Sequence, residues 1–407
     1  MLRTGIDMDL SEDHRRLRDY AREFTREEVT PRVASMEAAG SHVDVAVSGR
    51  MEEIGWTGLL IPKEPYGGMG AGHVAKTIVI DELSYESGAA AAIFQASQIP
   101  VTALQVLGSE EQKRRWLPQI ASGTWTTIAV TEPDQGSDIL GMTSTARPGP
   151  GGSWIINAHK NFIGNSHIAE LHVVVVRTGE PGRDQRALSA FLVENTRPGV
   201  SVAEQPFTGM HGFMAGDLRL DNVRVPSSHL LGQVGDGMDV AYGASVACGR
   251  LNLAALAYGL HRRVLDETVR FVTRRPRREG HLSDEPVVRR HVADITSGLM
   301  NSQLAVYQAA ALLDQRVPCD PALFNAKLTA HRAASAASQQ ACDLFGGYAN
   351  RADYPIDRLA RDIRQTAAPA GPSDHQLHHL GRAVLGPPRT SWSQRFTSPS
   401  PSQATTA

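Results

Sequence analysis

The hydrophobic pattern of this 407-residue chain changes its period twice, and that change limits the fold more than any other feature. Apolar residues recur at helical spacing from Leu10 to about Ala121, and the same spacing returns from Met238 to about Leu385. Between these regions, short β-branched runs alternate with clusters of glycine, proline and asparagine, which is typical of strands and turns. The order predicts an α+β fold with a β-domain inserted between two helical regions. We expect an N-terminal helical domain at residues 1–124, a central β-domain at 125–233 and a C-terminal helical bundle at 234–387. Serine, threonine, proline and glutamine dominate residues 388–407, so we expect a disordered tail there.

Composition and charge exclude several classes of protein. The net charge is −2, which gives no support to a nucleic-acid partner or to binding at an anionic membrane surface. No apolar run reaches the roughly 18 residues of a membrane span, and the N-terminus lacks the apolar stretch of a secretory signal, so we expect a cytoplasmic protein without a transmembrane helix. The scattered cysteines, Cys248, Cys319 and Cys342, predict buried reduced thiols and no metal site.

Four segments in fixed order point to a known family. The most specific is the ten-residue segment Ala129-Val130-Thr131-Glu132-Pro133-Asp134-Gln135-Gly136-Ser137-Asp138. The other segments are Gly108–Lys113 with Trp116-Leu117-Pro118, Asn222–Pro226, and Phe345-Gly346-Gly347 with Tyr354-Pro355 and Arg361-Asp362. Over about residues 10 to 385 the chain therefore resembles the acyl-CoA dehydrogenases, whose fold is a set of N-terminal helices, a central β-domain and a C-terminal four-helix bundle.

The resemblance implies an FAD site between the β-domain and the bundle. Val130 and Thr131 would lie at the pyrimidine side of the flavin ring. A flavin also needs backbone groups and small hydroxyls without bulk beside it, which suits Gly136 and Ser137. The remaining cofactor positions that the resemblance implies are Phe162 beside the isoalloxazine, Gly164 near flavin N5, Arg275 reaching across a subunit interface to the pyrophosphate, and Gly346 and Gly347 against the ADP half of the partner's cofactor.

Three of these positions have simpler interpretations when each is considered alone. A single aromatic residue such as Phe162 is more often part of a core. Arg275 lies in the run Arg274-Arg275-Pro276-Arg277-Arg278 and is equally consistent with a solvated charge cluster. The pair Gly346-Gly347 is also a common helix terminator.

The sequence departs from the family at the chemistry itself. Removal of the α-proton of a thioester needs a base, and the family keeps a carboxylate at one of two positions. Here those positions correspond to Ala370, in Ala370-Gly371-Pro372, and to Gly249, directly before Arg250. Neither side chain accepts a proton. Three flavin positions also differ. Gly164 replaces a residue with a hydroxyl group, Arg278 replaces the family's phenylalanine, and Asp343 replaces its glutamine. We hypothesise that Arg278 and Asp343 pair across a dimer interface.

Other groups near Ala370 in sequence are candidates for the missing base. Asp374 lies one helical turn beyond Ala370, but an N-capping role is the alternative. His375, His378 and His379 follow and are equally consistent with surface residues. His211 replaces a family arginine, and Arg250 would line the substrate side or form a helix-capping salt bridge.

Three functions stay open at this point. The first is an FAD-dependent oxidoreductase of an acyl thioester, bound to CoA or to an acyl carrier protein in specialised metabolism, since the helix beginning Cys248-Gly249-Arg250 is similar to relatives in such pathways. The second is a flavin-dependent monooxygenase or oxidase, because Gly164 would open space beside flavin N5. The third is a flavin-free non-redox enzyme or binding subunit. The resemblance implies a homodimer or homotetramer, and a heteromeric sister subunit would be another source of the missing glutamate.

Overall fold

A computed structural model describes residues 10–40, 42, 44–387 and 390–397, and the predicted order of helices, sheet and helices is confirmed within them. Most of the N-terminal helices share an apolar core with the bundle, and the last of them packs with the sheet in a second core. Their bounds are α1 (Glu12–Phe24), α2 (Val33–Ala39), α3 (Val45–Glu53), α4 (Gly72–Glu86), α5 (Gly88–Leu107) and α6 (Glu110–Ala121). The small-residue run at the start of α5 is buried and allows close packing of this helix.

The central region is a mixed sheet that begins four residues after α6. Its strands are β1 (Thr126–Ala129), β2 (Thr145–Gly149), β3 (Ser153–Gly164), β4 (Leu171–Arg177), β5 (Leu188–Glu194), β6 (Val200–Ala203), β7 (Ala215–Pro226) and β8 (Leu230–Leu231). They are ordered β6-β7-β3-β2-β4-β5-β8, with β1 paired in parallel to β4. The long antiparallel pair β3–β7 contains two register shifts, and the second falls within the Lys160–Ile163 stretch that carries Phe162.

The C-terminal region is a bundle of long helices. Helices α7 (Arg250–Arg274), α8 (Pro286–Asp314) and α9 (Asp320–Phe345) pack against one another, and α10 (Ile356–Gln365) and α11 (Ser373–Leu385) pack along α9. Two π-helical turns, Asp239–Gly243 and Ser245–Gly249, lead directly into α7 and pack against α5. Such π-turns are frequent at functional sites, because they re-aim side chains within a helix.

The expectation of a disordered tail from residue 388 is wrong for part of that tail. A short helix, α12 (Trp392–Thr397), packs on the π-helical turns, and the backbone N–H groups of Trp392 and Ser393 each donate to the Asp320 carboxylate at 2.7 Å. The Ser393 hydroxyl accepts from Cys319 N at 2.8 Å, so specific capping overrides the polar composition. Residues 388, 389 and 398–407 lie outside the described residues.

Two helical stretches are long and apolar enough to cross a membrane by length and composition alone. They are Gly88–Leu107 and the continuous helix Asp239–Arg274, and 78% and 94% of their apolar windows are buried inside the fold. Burial of this extent is what core helices of a globular protein show.

Candidate active site

The segment that follows β1 is fixed by a buried ion pair. Lys160, on β3, donates to the Glu132 carboxylate at 2.9 Å and to the Val130 carbonyl at 3.0 Å. The other Glu132 oxygen accepts from the backbone and hydroxyl of Thr143 at 2.7 and 2.8 Å. Glu132 and Lys160 are 3% and 0% exposed. The pair therefore holds both ends of the loop that the sequence assigns to the flavin.

The electrostatics of this pair are asymmetric. Burial alone would raise the pKa of Glu132, but the charge of Lys160 and the hydrogen bonds from Ser144 and Thr143 outweigh it and lower the pKa to about 2. Burial has the larger effect on Lys160 and lowers the pKa of its amine to about 8 despite the carboxylate. The pair is thus charged at neutral pH, with Glu132 as its better-stabilised member.

Next to this loop, Phe162 has an exposed side chain and an unusual backbone conformation. Its ring is 57% exposed, and its backbone has a φ of 58°, which is rare for an aromatic residue. Asn161 N donates to the Thr131 carbonyl at 2.9 Å, so Thr131 and Phe162 are held side by side. The structure therefore brings together Val130, Thr131 and Phe162, as the sequence predicts.

Gly164 does not open the space that the sequence suggested. A β-carbon on Gly164 would lie 2.9 Å from the Phe213 ring and 3.3 Å from the Ala96 methyl group. The Phe213 side chain therefore fills the position where a larger residue would project. The argument for an oxygen-accessible pocket at Gly164 therefore loses its support, because the Phe213 ring, 49 residues away in the sequence, takes up space beside this glycine.

A second group of predicted residues lies together elsewhere in the chain. Arg275 donates to the Tyr348 hydroxyl at 3.0 Å and stacks over its ring, directly beside Gly346 and Gly347. The exposed Asp343 side chain accepts from Gln339 at 3.2 Å, and Arg278 is also exposed. The placement of this group against a partner's cofactor, and the Arg278–Asp343 pair, stay predictions.

Gly249 and Ala370, which the resemblance matches to the two carboxylate positions of the family, lie close together although 121 residues separate them. A β-carbon on Gly249 would lie 3.5 Å from the Ala370 β-carbon, 3.4 Å from Ile99 Cδ1 and 3.8 Å from Ser245 Oγ. Ala370 has a φ of 54°, and Gly371 follows at 91°. Gly249 and Ala370, the positions at which the resemblance implies a catalytic carboxylate, therefore lie together with Ile99 and Ser245 in what we call the acid–base corner, and neither residue is acidic.

Buried cations surround this corner. Arg250 is 1% exposed and donates to Gln376 Oε1 at 2.9 Å, while Gln376 donates to the carbonyls of Ala370 and Gly371 at 3.1 and 2.7 Å. Lys327 is 2% exposed, and its amine donates to the carbonyls of Ala367, Pro369 and Gly371. Burial and the charge of Arg250 lower the pKa of Lys327 to about 7, although three carbonyl acceptors favour its charged form.

The other candidate bases differ in how near they lie to this corner. Asp374 is exposed in the first turn of α11, so the structure gives it no position as a base. His375 packs under Gly371, and burial together with Arg250 lowers its pKa. His379 contacts the Tyr242 hydroxyl, and His378 is exposed. His211 Nε2 donates to the Phe207 carbonyl at 3.0 Å, far along the chain from these groups.

Comparison with known proteins gives the family. Residues 11–124, 127–223 and 235–385 match the models "Acyl-CoA dehydrogenase, N-terminal domain", "middle domain" and "C-terminal domain". An acyl-CoA dehydrogenase of Bacillus subtilis (strain 168) is 30% identical over 382 residues, which cover 93% of this chain and 100% of that relative. The chain belongs to the acyl-CoA dehydrogenase family.

Two further relatives show how broad this family is. A 3-(aryl)acrylate reductase of Clostridium sporogenes (strain ATCC 15579) is 30% identical over 381 residues, covering 93% of this chain and 100% of the reductase. The butyryl-CoA dehydrogenase of Megasphaera elsdenii has the same fold, with a TM-score of 0.89, 24% identity, and coverage of 93% of this chain and 100% of that chain.

The residues present fit the family's FAD cofactor. No atom lies within 4 Å of a β-carbon position on Gly136, Gly346 or Gly347, so the backbone is open to a ligand at each of them. The exposed Phe162 ring offers an apolar face at the flavin loop. The chain is thus an FAD-dependent oxidoreductase of the acyl-CoA dehydrogenase family, and a flavin-free function loses its support.

Sequence analysis did not identify three residues whose hydrogen bonds hold the backbone of the site, namely Lys160, Lys327 and Gln376. The ion pair between Lys160 and Glu132 was not predicted, because 28 residues separate the two charges and neither lies in a pattern that links them. Lys327 and Gln376 gave no signal either, because their contacts are backbone carbonyls of a turn.

Proposed function

We propose that this chain oxidises or reduces an acyl thioester, carried by CoA or by an acyl carrier protein in specialised metabolism, without a carboxylate at either family position. The observation that carries this proposal is the 3.5 Å approach of the Gly249 β-carbon position to Ala370. By the family resemblance, these are the two positions from which a glutamate would reach the thioester, and neither residue is acidic in this chain. The flavin loop, in contrast, keeps its buried ion pair.

The chain's own residues have separate tasks in this function. FAD, when bound, would supply hydride exchange with the substrate. The Glu132–Lys160 pair would position the loop that holds the flavin, and Phe162 would lie on one side of it. Lys327 and Gln376 fix the carbonyls of the Ala370 turn, so the acyl group meets a rigid corner.

The monooxygenase or oxidase alternative retains the support of the non-acidic residues Gly249 and Ala370. It loses the support of Gly164, because the Phe213 ring lies 2.9 Å from the β-carbon position there. A heteromeric sister subunit that supplies a glutamate is also compatible with the empty corner. A homodimer or homotetramer of the purified chain, measured by light scattering, would speak against an obligate sister subunit.

The decisive experiment restores the acid. Ala370→Glu should give the FAD-loaded protein a dehydrogenase activity on simple saturated acyl-CoA substrates at least ~100-fold above the unmodified chain, since general base catalysis contributes about 10²–10⁴-fold. Flavin bleaching under anaerobic conditions measures it. The left-handed backbone at residue 370 already carries a β-carbon, so the substitution adds no new backbone conflict.

Ala370→Gln is the matched control, because it has the size of glutamate without its charge. It should stay as inactive as the unmodified chain. If the unmodified chain bleaches its flavin with simple acyl-CoA substrates as fast as Ala370→Glu does, another residue supplies the base and the proposal is wrong. A protein that takes up no FAD, shown by the absence of flavin absorption bands, would contradict it as well.

A further inference from the structure

The acid–base corner holds two buried basic side chains, Arg250 and Lys327. Among residues 10–40, 42, 44–387 and 390–397, neither of them forms an ion pair with an aspartate or glutamate. Arg250 instead donates to Gln376 at 2.9 Å and to the hydroxyls of Ser245 and Tyr242 at 3.4 Å. Lys327 donates only to carbonyl oxygens. Burial of a charge without a counter-charge is unfavourable, so this arrangement points to a ligand that supplies one.

The acid that acts on Arg250 through its charge is Asp320, and its oxygens are already engaged. One oxygen accepts from Trp392 N and the other from Ser393 N, both at 2.7 Å. Its charge offsets part of the positive field around Arg250 but reaches it only from a distance.

The unneutralised charge borders the place where the family carries its carboxylate. Ser245 Oγ lies 3.8 Å from the β-carbon position of Gly249 and accepts from Arg250 at 3.4 Å. Gln376 links the same guanidinium to the Ala370 carbonyl. Since the Ser245 hydroxyl accepts from Arg250, its proton is free to be donated to an anion in the corner.

We propose that the substrate brings this missing negative charge, as an acyl thioester with a carboxylate on its α-carbon, that is, of the malonyl type. The proposal rests on the function proposed above and names its substrate class. The α-carbon is the atom that a family glutamate would serve, so a carboxylate attached to it occupies the volume that Ala370 and Gly249 leave. Ser245 and Arg250 then hold the carboxylate, and Lys327 adds to the favourable field.

The test compares two thioesters that differ in one group. Methylmalonyl-pantetheine and isobutyryl-pantetheine have the same skeleton, with a carboxylate in the first where the second has a methyl group, and pantetheine is common to CoA and carrier proteins. Isothermal titration calorimetry of the FAD-loaded chain at pH 7 and constant chloride should show the methylmalonyl compound binding at least ~10-fold more tightly. Equal affinities, or tighter binding of the isobutyryl compound, would overturn the proposal.

Two variants at residue 370 check that the corner itself causes the preference. Ala370→Glu supplies the negative charge from the protein, so the preference for the carboxylate should disappear or reverse. Ala370→Gln adds the same bulk without charge and should keep the preference, even if both affinities fall. If the two variants show the same preference, the charge of the corner does not select the substrate.

The outcomes separate this inference from the proposed function. A chain that binds FAD, gains activity as Ala370→Glu, and binds both thioesters equally contradicts the substrate class alone. A chain that binds neither FAD nor either thioester contradicts both.

Discussion

Two buried lysines lie in the two halves of the site, and their partners differ. Lys160, behind the flavin loop, is 0% exposed and has the Glu132 carboxylate at 2.9 Å. Lys327, behind the acid–base corner, is 2% exposed and has only backbone carbonyls. In the flavin half of the site, the charge of Lys160 is therefore already neutralised by a protein carboxylate. The other half keeps a positive charge that a ligand can neutralise, which is why substitutions at the two lysines should have different consequences.

The largest effect is expected for Lys160→Met. It leaves the Glu132 carboxylate buried without a cation, and breaking such a pair from one side costs about 3–5 kcal/mol of unfolding free energy. The flavin loop should also lose its order, so FAD occupancy should fall with stability. Urea denaturation and the flavin absorption spectrum measure the two effects.

Lys327→Met is the matched control for that loss. It removes a buried cation that has no acid partner, so the loss should be smaller, about 1–3 kcal/mol from the carbonyls left without donors, and FAD occupancy should stay near that of the unmodified chain. Equal losses of stability and of FAD occupancy in both variants would show that the two lysines do not differ in this way.

A second expectation uses pH to separate charge from packing. Glu132→Gln should destabilise the fold clearly at pH 7, because Lys160 loses its counter-charge. The folded pKa of Glu132 is lowered to about 2, so its stabilisation is complete above its ordinary pKa of 4.5 and disappears as pH falls through the folded value. The gap in unfolding free energy between Glu132→Gln and the unmodified chain should therefore shrink between pH 4.5 and pH 2.

Thermal unfolding at several pH values, with Glu27→Gln as a control on an exposed carboxylate, measures that gap. Glu27 pairs with Arg26 at the surface, 58% and 68% exposed, so its substitution should leave a small and nearly constant difference. A gap for Glu132→Gln that stays constant over this range would mean that shape, and not charge, holds the loop.

The sequence predicted the three-part fold because hydrophobic period is a local property, and each region is long enough to show it. It also predicted that Thr131 and Phe162 lie together, through the family resemblance. It could not predict that Phe213 fills the space at Gly164, or that Ser393 caps onto Cys319 and Asp320. Those contacts join residues far apart in the chain, and neither partner belongs to a periodic pattern. The expectation of a disordered tail at residues 388–407 rested on composition, which does not show whether a single residue such as Ser393 forms a specific cap.

The smallest effect is expected for Asp320→Asn, and it bears on the charge of the acid–base corner. Asparagine keeps one oxygen that can accept from the backbone of α12, so the loss of stability should be about 0.5–1 kcal/mol, the range of a weakened helix cap. The substitution also removes the distant negative charge that offsets part of the field around Arg250. If the corner selects its ligand by charge, the preference for methylmalonyl- over isobutyryl-pantetheine should increase in this variant, by roughly 2- to 5-fold given the screening over such a distance. Asp314→Asn is the matched control, since Asp314 likewise accepts from two backbone N–H groups, those of His73 and Val74 at the start of α4. It should cost similar stability and leave the preference unchanged, and an equal change in both variants would show that loosened caps, not charge, alter the binding.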